Sequence, residues 1–167
     1  MGSSQPSRRQ NRSAREFMPE AKLKTRNAVL LVNTRSLMGT EWLTQAKDKL
    51  IEQGVHLTAA EGYSKAAELF HRLEGLAGGD QLIVVGGGDG TLSAAAGMLA
   101  HTESTLGVLP LGTGNAFARD LGIATDLDKA VDVLVNGRQA EVDIGVCNGQ
   151  RFVNVVSIGL TAAVART

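Results

Sequence analysis

The sequence predicts an α/β fold, with an open, mostly parallel sheet that has helices on both faces. Short apolar runs alternate with amphipathic segments between Ala28 and Val135, an order typical of parallel strands joined by helices. Glycine-rich segments follow two of the apolar runs, at the sheet edge where such folds bind ligands. After Gly137 two further apolar segments flank Asn148-Gly149, a strong hairpin signal. They predict the start of an antiparallel β domain that is truncated.

The composition is that of an ordinary globular protein. The chain has 167 residues, of which 43% are hydrophobic and 20% charged, enough for one complete domain and a piece of a second. Cys147 is the single cysteine, which excludes an intramolecular disulfide framework and favours a reducing, cytoplasmic setting. The sequence has no apolar run of about 20 residues, so we expect no transmembrane helix.

The first half of the α/β pattern contains two strands and two helices. Ala28–Val32 is a continuous valine- and leucine-rich run, typical of a buried strand. Residues 41–53 carry apolar side chains on one helical face, and Gly54 is expected to end that helix. Val55–Ala59 is predicted as the second strand. Residues 64–76 repeat apolar positions at the i, i+3, i+4 and i+7 spacing of a second helix.

The second half repeats the alternation. Gln81–Val85 is the most apolar run of the set and predicts the third strand. Residues 91–100 are small and predict a helix, and Thr105–Leu109 is the expected fourth strand. Helices are also predicted at residues 115–121 and 126–135, with Asp126 as the N-cap of the last one.

Both ends of the chain differ from this α/β unit, which we place at residues 27–137. Residues 1–26 hold seven basic and two acidic residues, a net charge of +5, and few apolar ones. We interpret them as a disordered basic arm, either a solvated tail or a segment that touches anionic lipid. Residues 138–167 contain the apolar segments 141–147 and 151–157, which predict the opening hairpin of an incomplete domain. A lone hairpin is marginal in water, so this segment is a candidate for self-association.

The first glycine-rich segment, Gly86 to Thr91, has four glycines in its first five positions. Glycines let a backbone approach a phosphate closely, and the helix that follows adds its positive N-terminal end. Asp89 is a candidate magnesium ligand, and Thr91 a hydroxyl donor. The alternative is a tight turn in which Asp89 or Thr91 only caps the helix. Neither a Walker loop nor the dinucleotide fingerprint matches this segment.

The second segment, Leu109 to Asn115, again ends at a predicted helix start. Thr113 is the better candidate for a ligand contact, because Asn115 is also explained as an N-cap. Asn33 follows the first strand, with Arg35 as a candidate phosphate partner or an ordinary exposed arginine. Thr58 is predicted near the end of the second strand, where an adenine or ribose would lie.

These motifs resemble the nucleotide-binding motifs of the diacylglycerol kinase catalytic domain family, which also includes sphingosine, ceramide and bacterial lipid kinases. The resemblance rests on Gly87-Gly88-Asp89-Gly90-Thr91 together with Leu109-Pro110-Leu111-Gly112-Thr113-Gly114-Asn115-Ala116-Phe117-Ala118-Arg119. The first motif also occurs in NAD kinases and phosphofructokinases. The resemblance implies that the sheet of this chain is similar to theirs. The sequence departs from the family at Ala116, where diacylglycerol kinases often have aspartate, and this leaves the lipid open.

The resemblance implies an ATP-binding domain whose family transfers the ATP γ-phosphoryl group to a lipid hydroxyl, with Mg²⁺ as cofactor. The implied nucleotide-binding residues are Asn33, Thr58, Gly87, Gly88, Asp89, Gly90, Thr91, Ser93, Thr113 and Asn115, with Asp89 also the candidate metal ligand. The segment after residue 138 resembles the family's crossover into a β-sandwich domain, and the catalytic base is expected beyond Thr167. The expected partners are ATP and a lipid at the inner membrane surface, with no nucleic acid. The alternatives are a kinase of a soluble substrate, similar to NAD kinases, and a non-catalytic nucleotide- or membrane-binding module.

Overall fold

Four parallel strands form the central sheet. In the computed structural model, which describes residues 27–79 and 81–153, they are β1 (Asn27–Asn33), β2 (His56–Tyr63), β3 (Leu82–Gly87) and β4 (Thr105–Pro110). Their order is β2-β1-β3-β4, and every neighbouring pair is parallel. The predicted fold class is therefore confirmed. The basic arm and the predicted strand beyond residue 153 lie outside the described residues.

Helices cover both faces of this sheet. They are α1 (Gly39–Glu52), α2 (Ala66–Glu74), α3 (Asp89–Leu99), α4 (Ala116–Asp120) and α5 (Leu127–Asn136). The chain moves from β1 to β2 in one direction and from β2 to β3 in the other, so right-handed crossovers place α1 and α2 on opposite faces. Accordingly α1 contacts α5, whereas α2 contacts α3.

The core is centred on the two inner strands. Residues 28–32 of β1 and 82–85 of β3 are all buried, because helices cover them on both sides. A strand covered on both faces has no solvent side, which is why these runs are continuously apolar rather than alternating. Covering helices bury Leu50, Leu69 and Leu92 against them.

The second strand is longer than predicted. Its pairing with β1 continues to Asn33 and Tyr63, whereas the sequence predicted an end at Ala59. Because β2 is an edge strand and only partly buried, it tolerates Glu61 and Gly62. These two residues interrupt the apolar pattern, so the second half of the strand could not be recognised from the sequence. The predicted strand end was therefore wrong, and Thr58 lies in the first half of β2.

The segment after α5 forms a short antiparallel hairpin of β5 (Gly145–Cys147) and β6 (Gln150–Phe152). Asn148 and Gly149 have φ values of 49° and 76° at its turn, as the sequence predicted. The first predicted strand began at Glu141, but residues 141–144 are irregular. The hairpin packs on α3, where Arg151 Nη1 donates a 3.2 Å hydrogen bond to the Gly97 carbonyl. The assignment of residues 138–167 to a second domain remains a prediction.

A partly exposed polar cluster joins the edge strand β2 to helix α2. Arg72 on α2 donates to both carboxylate oxygens of Glu61 on β2, each at 3.2 Å from Nε. The Tyr63 hydroxyl donates to the same carboxylate. The hydrogen bond from Tyr63, followed by that from Arg72, lowers the pKa of Glu61 below its usual value.

This cluster predicts that part of the stability depends on pH. A carboxylate whose pKa is lowered by folding stabilises the protein above its unfolded pKa of about 4.5, and this contribution is lost as the pH falls through the folded value. We expect Glu61→Gln to lower the free energy of unfolding by about 0.2–1 kcal/mol at pH 7, the range for solvent-accessible ion pairs, and by less at pH 3. Urea denaturation at both pH values measures this. Exposed Glu74→Gln is the matched control, and a Glu61→Gln effect that is equal at both pH values would contradict the assignment.

Candidate functional site

The candidate site lies at the carboxyl edge of the sheet, between its two inner strands. The chain leaves β1 toward β2 and leaves β3 toward β4, so the connections after β1 and β3 diverge. In open α/β sheets the crevice at such a switch point is where ligands bind. Asn33 ends β1, and Gly88 follows β3 directly. The third connection, residues 111–115, follows the neighbouring strand β4.

Two of the predicted site residues, Asn33 and Thr91, are in direct contact. The Asn33 Nδ2 donates a hydrogen bond of 3.0 Å to the Thr91 hydroxyl, which is buried at the start of α3. The Asn33 Oδ1 accepts a 3.1 Å hydrogen bond from the backbone N–H of Arg35. Asn33 therefore joins the turn after β1 to the first turn of α3.

The two glycine segments pack backbone against backbone. A Cβ atom built on Gly112 would lie 2.7 Å from the Cα of Gly88, and one on Gly114 would lie 2.9 Å from Asp89 Oδ2. The Leu111 N–H also donates to the Gly87 carbonyl at 2.9 Å. Only glycine permits the contact at residue 112, so the loops after β3 and β4 form one continuous surface.

The residue that caps α4 is not the one expected from the sequence. Asn115 precedes this helix but makes no capping hydrogen bond with its side chain. Instead its amide is bonded back to Gly112, accepting from the N–H at 2.8 Å and donating to the carbonyl at 2.6 Å. The cap comes from Asp89, whose Oδ1 accepts the Phe117 N–H at 3.1 Å. Asn115 therefore has the N-cap position of the alternative interpretation but does not cap with its side chain, and local spacing cannot show an acceptor 28 positions away in the chain.

The surface of the two loops exposes backbone donors. Within the described residues, no hydrogen bond satisfies the N–H groups of Gly90, Thr113 or Gly114, and all three residues are exposed. Gly90 lies in the first turn of α3, where the N–H groups have no partner within the helix. Exposed N–H groups at a helix N-terminus, together with the positive end of the helix dipole, suit an anion such as phosphate.

Two of the predicted nucleotide contacts point elsewhere. The Thr58 hydroxyl donates to the Ala28 carbonyl at 3.3 Å, near the amino end of β1 and thus away from the loops. The Ser93 Oγ accepts the Val153 N–H at 3.3 Å, so it faces the hairpin. Arg35 is exposed within the turn that follows Asn33. The structure therefore brings together Asn33, Gly87 to Thr91, Thr113 and Asn115, whereas the side chains of Thr58 and Ser93 are bonded elsewhere.

Asp89 is the acidic residue of the two glycine loops and thus their candidate metal ligand. In the part of the chain that the structure describes, no group of three or more His, Cys, Asp or Glu residues could hold a metal ion. Among the same residues no helix is long and apolar enough to span a membrane.

The fold and this site define a class: an α/β domain whose two glycine loops meet at the switch point of a parallel sheet. A model of the diacylglycerol kinase catalytic domain matches residues 27–147. The chain belongs to that family, as the two motifs indicated.

Named relatives agree with this assignment. A diacylglycerol kinase of Bacillus subtilis strain 168 is 47% identical over 81 residues, which cover 47% of this chain and 27% of the relative. A "probable lipid kinase YegS-like" protein of Enterobacter sp. strain 638 is 32% identical over 137 residues, covering 79% of this chain and 46% of the relative. The chain thus spans half or less of the length of these relatives.

A solved structure shares the fold. The crystal structure of a diacylglycerol kinase from Bacillus anthracis strain Sterne superposes with a TM-score of 0.70 at 28% sequence identity. The superposition covers 78% of this chain and 47% of the other.

Proposed function

We propose that this chain is the ATP-binding domain of a lipid kinase, which transfers the γ-phosphoryl group of ATP to a lipid hydroxyl. The observation that carries the proposal is the surface formed by the two glycine loops, with its exposed N–H donors at the sheet's switch point. Phosphoryl transfer requires mainly positioning and charge neutralisation. Backbone N–H donors supply the positioning and part of the charge neutralisation.

In this proposal the phosphates of ATP lie on residues 87–91 and 112–114. The Gly90 and Gly114 N–H groups would bind phosphate oxygens, and the exposed hydroxyl of Thr113 would add a further hydrogen bond. The Asn33–Thr91 pair would hold the first turn of α3 in place. Mg²⁺, when bound, neutralises the phosphates.

Mg²⁺ bound to a nucleotide takes most of its ligands from phosphates and water and needs only one or two carboxylates. Asp89 is the acidic residue within the two loops, so it is the protein ligand that we propose. The donor set present here fits such a nucleotide-borne ion and does not form a separate protein cage.

The acceptor is proposed to be a lipid of the diacylglycerol or sphingoid kind at a membrane surface. The relatives reported above are named diacylglycerol kinase and lipid kinase, which favours a lipid over the NAD-kinase alternative. We place the protein in the cytoplasm, at the inner face of the membrane, where the +5 charge of residues 1–26 would attract anionic lipid. The catalytic base is expected outside the described residues.

The substitution Gly90→Ala tests nucleotide binding without disturbing the fold. A Cβ atom at Gly90 would meet nothing within 4 Å, and alanine in a helix gains about 0.5–1 kcal/mol over glycine. We therefore expect unchanged or higher stability together with at least tenfold weaker ATP binding, about 1.4 kcal/mol, because the added methyl group would meet the ligand. Isothermal titration calorimetry and thermal unfolding measure the two effects.

Gly75→Ala is the matched control for this variant. Gly75 follows α2, and a Cβ atom there would make only ordinary contacts at 3.6 Å or more. It should leave ATP affinity unchanged. Equal ATP affinities for Gly90→Ala and the unmodified chain would show that the N-terminus of α3 is not part of the nucleotide site.

A transfer assay separates the candidate functions. Labelled ATP is offered with diacylglycerol micelles, with NAD, or with no acceptor. Label on the lipid supports the proposal, and label on NAD supports the soluble-substrate alternative. ATP binding without transfer to either acceptor would favour a non-catalytic binding module.

A further inference from the structure

The Asp89 carboxylate connects two loops that come from different strands. Asp89 is the first residue of α3, after β3, yet its Oδ1 accepts the N–H of Phe117 in α4, after β4, at 3.1 Å. Its other oxygen lies against the second loop, because a Cβ atom on Gly114 would be only 2.9 Å from Oδ2. Both carboxylate oxygens therefore face the second glycine loop.

Both core packing and hydrogen bonds hold the second loop, because Phe117 and Ala118, which follow it, are buried. Its internal hydrogen bonds, between the Asn115 side chain and Gly112, fix its shape but not its position relative to α3. The backbone bond from Leu111 to Gly87 ends where the loop begins. At the far end of the loop, the described residues show the hydrogen bond between Asp89 and Phe117. A carboxylate at a helix N-terminus is also favoured by the helix dipole.

We propose that Asp89 is a positioning residue that joins the two glycine loops into one phosphate site, in a role that requires no metal ion. In this role it holds α4 and residues 112–114 against α3. The exposed N–H groups of Thr113 and Gly114 can then bind the same ATP phosphates as the N–H group of Gly90. This inference rests on the proposed ATP binding. It adds a second role to the metal-ligand role proposed above.

Two substitutions separate the acceptor role of Asp89 from its charge. The amide oxygen of Asp89→Asn still accepts the Phe117 N–H, whereas Asp89→Ala removes the acceptor. We expect Asp89→Ala to weaken ATP binding at least tenfold in EDTA, where Mg²⁺ contributes nothing. Asp89→Asn should stay within about threefold of the unmodified chain, or about 0.7 kcal/mol by the same conversion. If Asp89→Asn loses further ATP affinity only when Mg²⁺ is present, that additional loss measures the separate role of Asp89 as a metal ligand.

Asp126→Ala is the matched control. The Asp126 Oδ1 caps α5 through the Lys129 N–H at 3.1 Å, the same distance as in the Asp89 cap, but at a helix that carries no site residue. It removes the same type of bond and should leave ATP affinity unchanged. A general loss of stability would weaken binding in both alanine variants, whereas a positioning role weakens it only in Asp89→Ala.

Amide NMR spectra give a readout that stability alone does not alter. In the unmodified chain and in Asp89→Asn, ATP in EDTA should shift the amide signals of Gly90, Thr113 and Gly114. In Asp89→Ala it should still shift Gly90 but no longer the two amides of the second loop. Unchanged affinity of Asp89→Ala in EDTA, or equal losses for both Asp89 variants, would overturn this inference alone. An unmodified chain that binds no ATP would overturn the proposed function as well.

Discussion

Replacing Gly112 with alanine is expected to abolish nucleotide binding. A Cβ atom at residue 112 would lie 2.7 Å from the Gly88 Cα and 3.1 Å from Asn115 Oδ1. The nearer obstacle is backbone, which cannot rotate away, so the second glycine loop must move off the first. We expect at least a hundredfold loss of ATP affinity, about 2.7 kcal/mol, and about 1–3 kcal/mol of lost stability from overpacking.

Calorimetric titration with ATP, with urea denaturation alongside, measures both effects of Gly112→Ala. Gly75→Ala again serves as the control, because it adds the same methyl group in ordinary space. Should Gly112→Ala bind ATP as tightly as the unmodified chain, contact between the two loops would have no part in the site.

The largest loss of stability is expected from Ile83→Ala. Ile83 is fully buried in β3, paired with Val29 on one side and Leu106 on the other. Removing a buried isoleucine side chain loses its transfer free energy and leaves a cavity, which together cost about 2–5 kcal/mol. Because β3 leads directly into the first glycine loop, unfolding of this strand also removes the site.

Urea denaturation of Ile83→Ala is compared with that of Ile51→Ala. Ile51 has the same side chain but is 50% exposed on α1, so its substitution should cost less than about 1 kcal/mol. In the folded fraction of Ile83→Ala the loops keep their contacts, so ATP affinity should change little. Similar losses of stability for the two isoleucine variants would place the core elsewhere than β1 and β3.

The sequence by itself determined the features that depend on local pattern. The continuous apolar runs of β1 and β3 identify the inner strands, because only strands covered on both faces lack a polar side. The Asn148-Gly149 pair identifies the hairpin turn, because both positions require positive φ. The two glycine motifs indicated the family and a shared edge of the sheet, because the carboxyl ends of parallel strands meet there.

Only the tertiary structure decided the features that depend on residues distant in the chain. The end of β2 is set by its pairing with β1, so Thr58 lies away from the loops although its strand was expected to end beside it. Asn115 has the position of an N-cap, yet the N–H of Phe117 is taken by Asp89, 28 residues earlier. A hydrogen-bond donor binds the acceptor that packing brings to it, and packing between β3 and β4 is not encoded in the spacing of either loop. Which acceptor caps α4, and hence how the two loops are joined, is therefore decided by the assembled sheet.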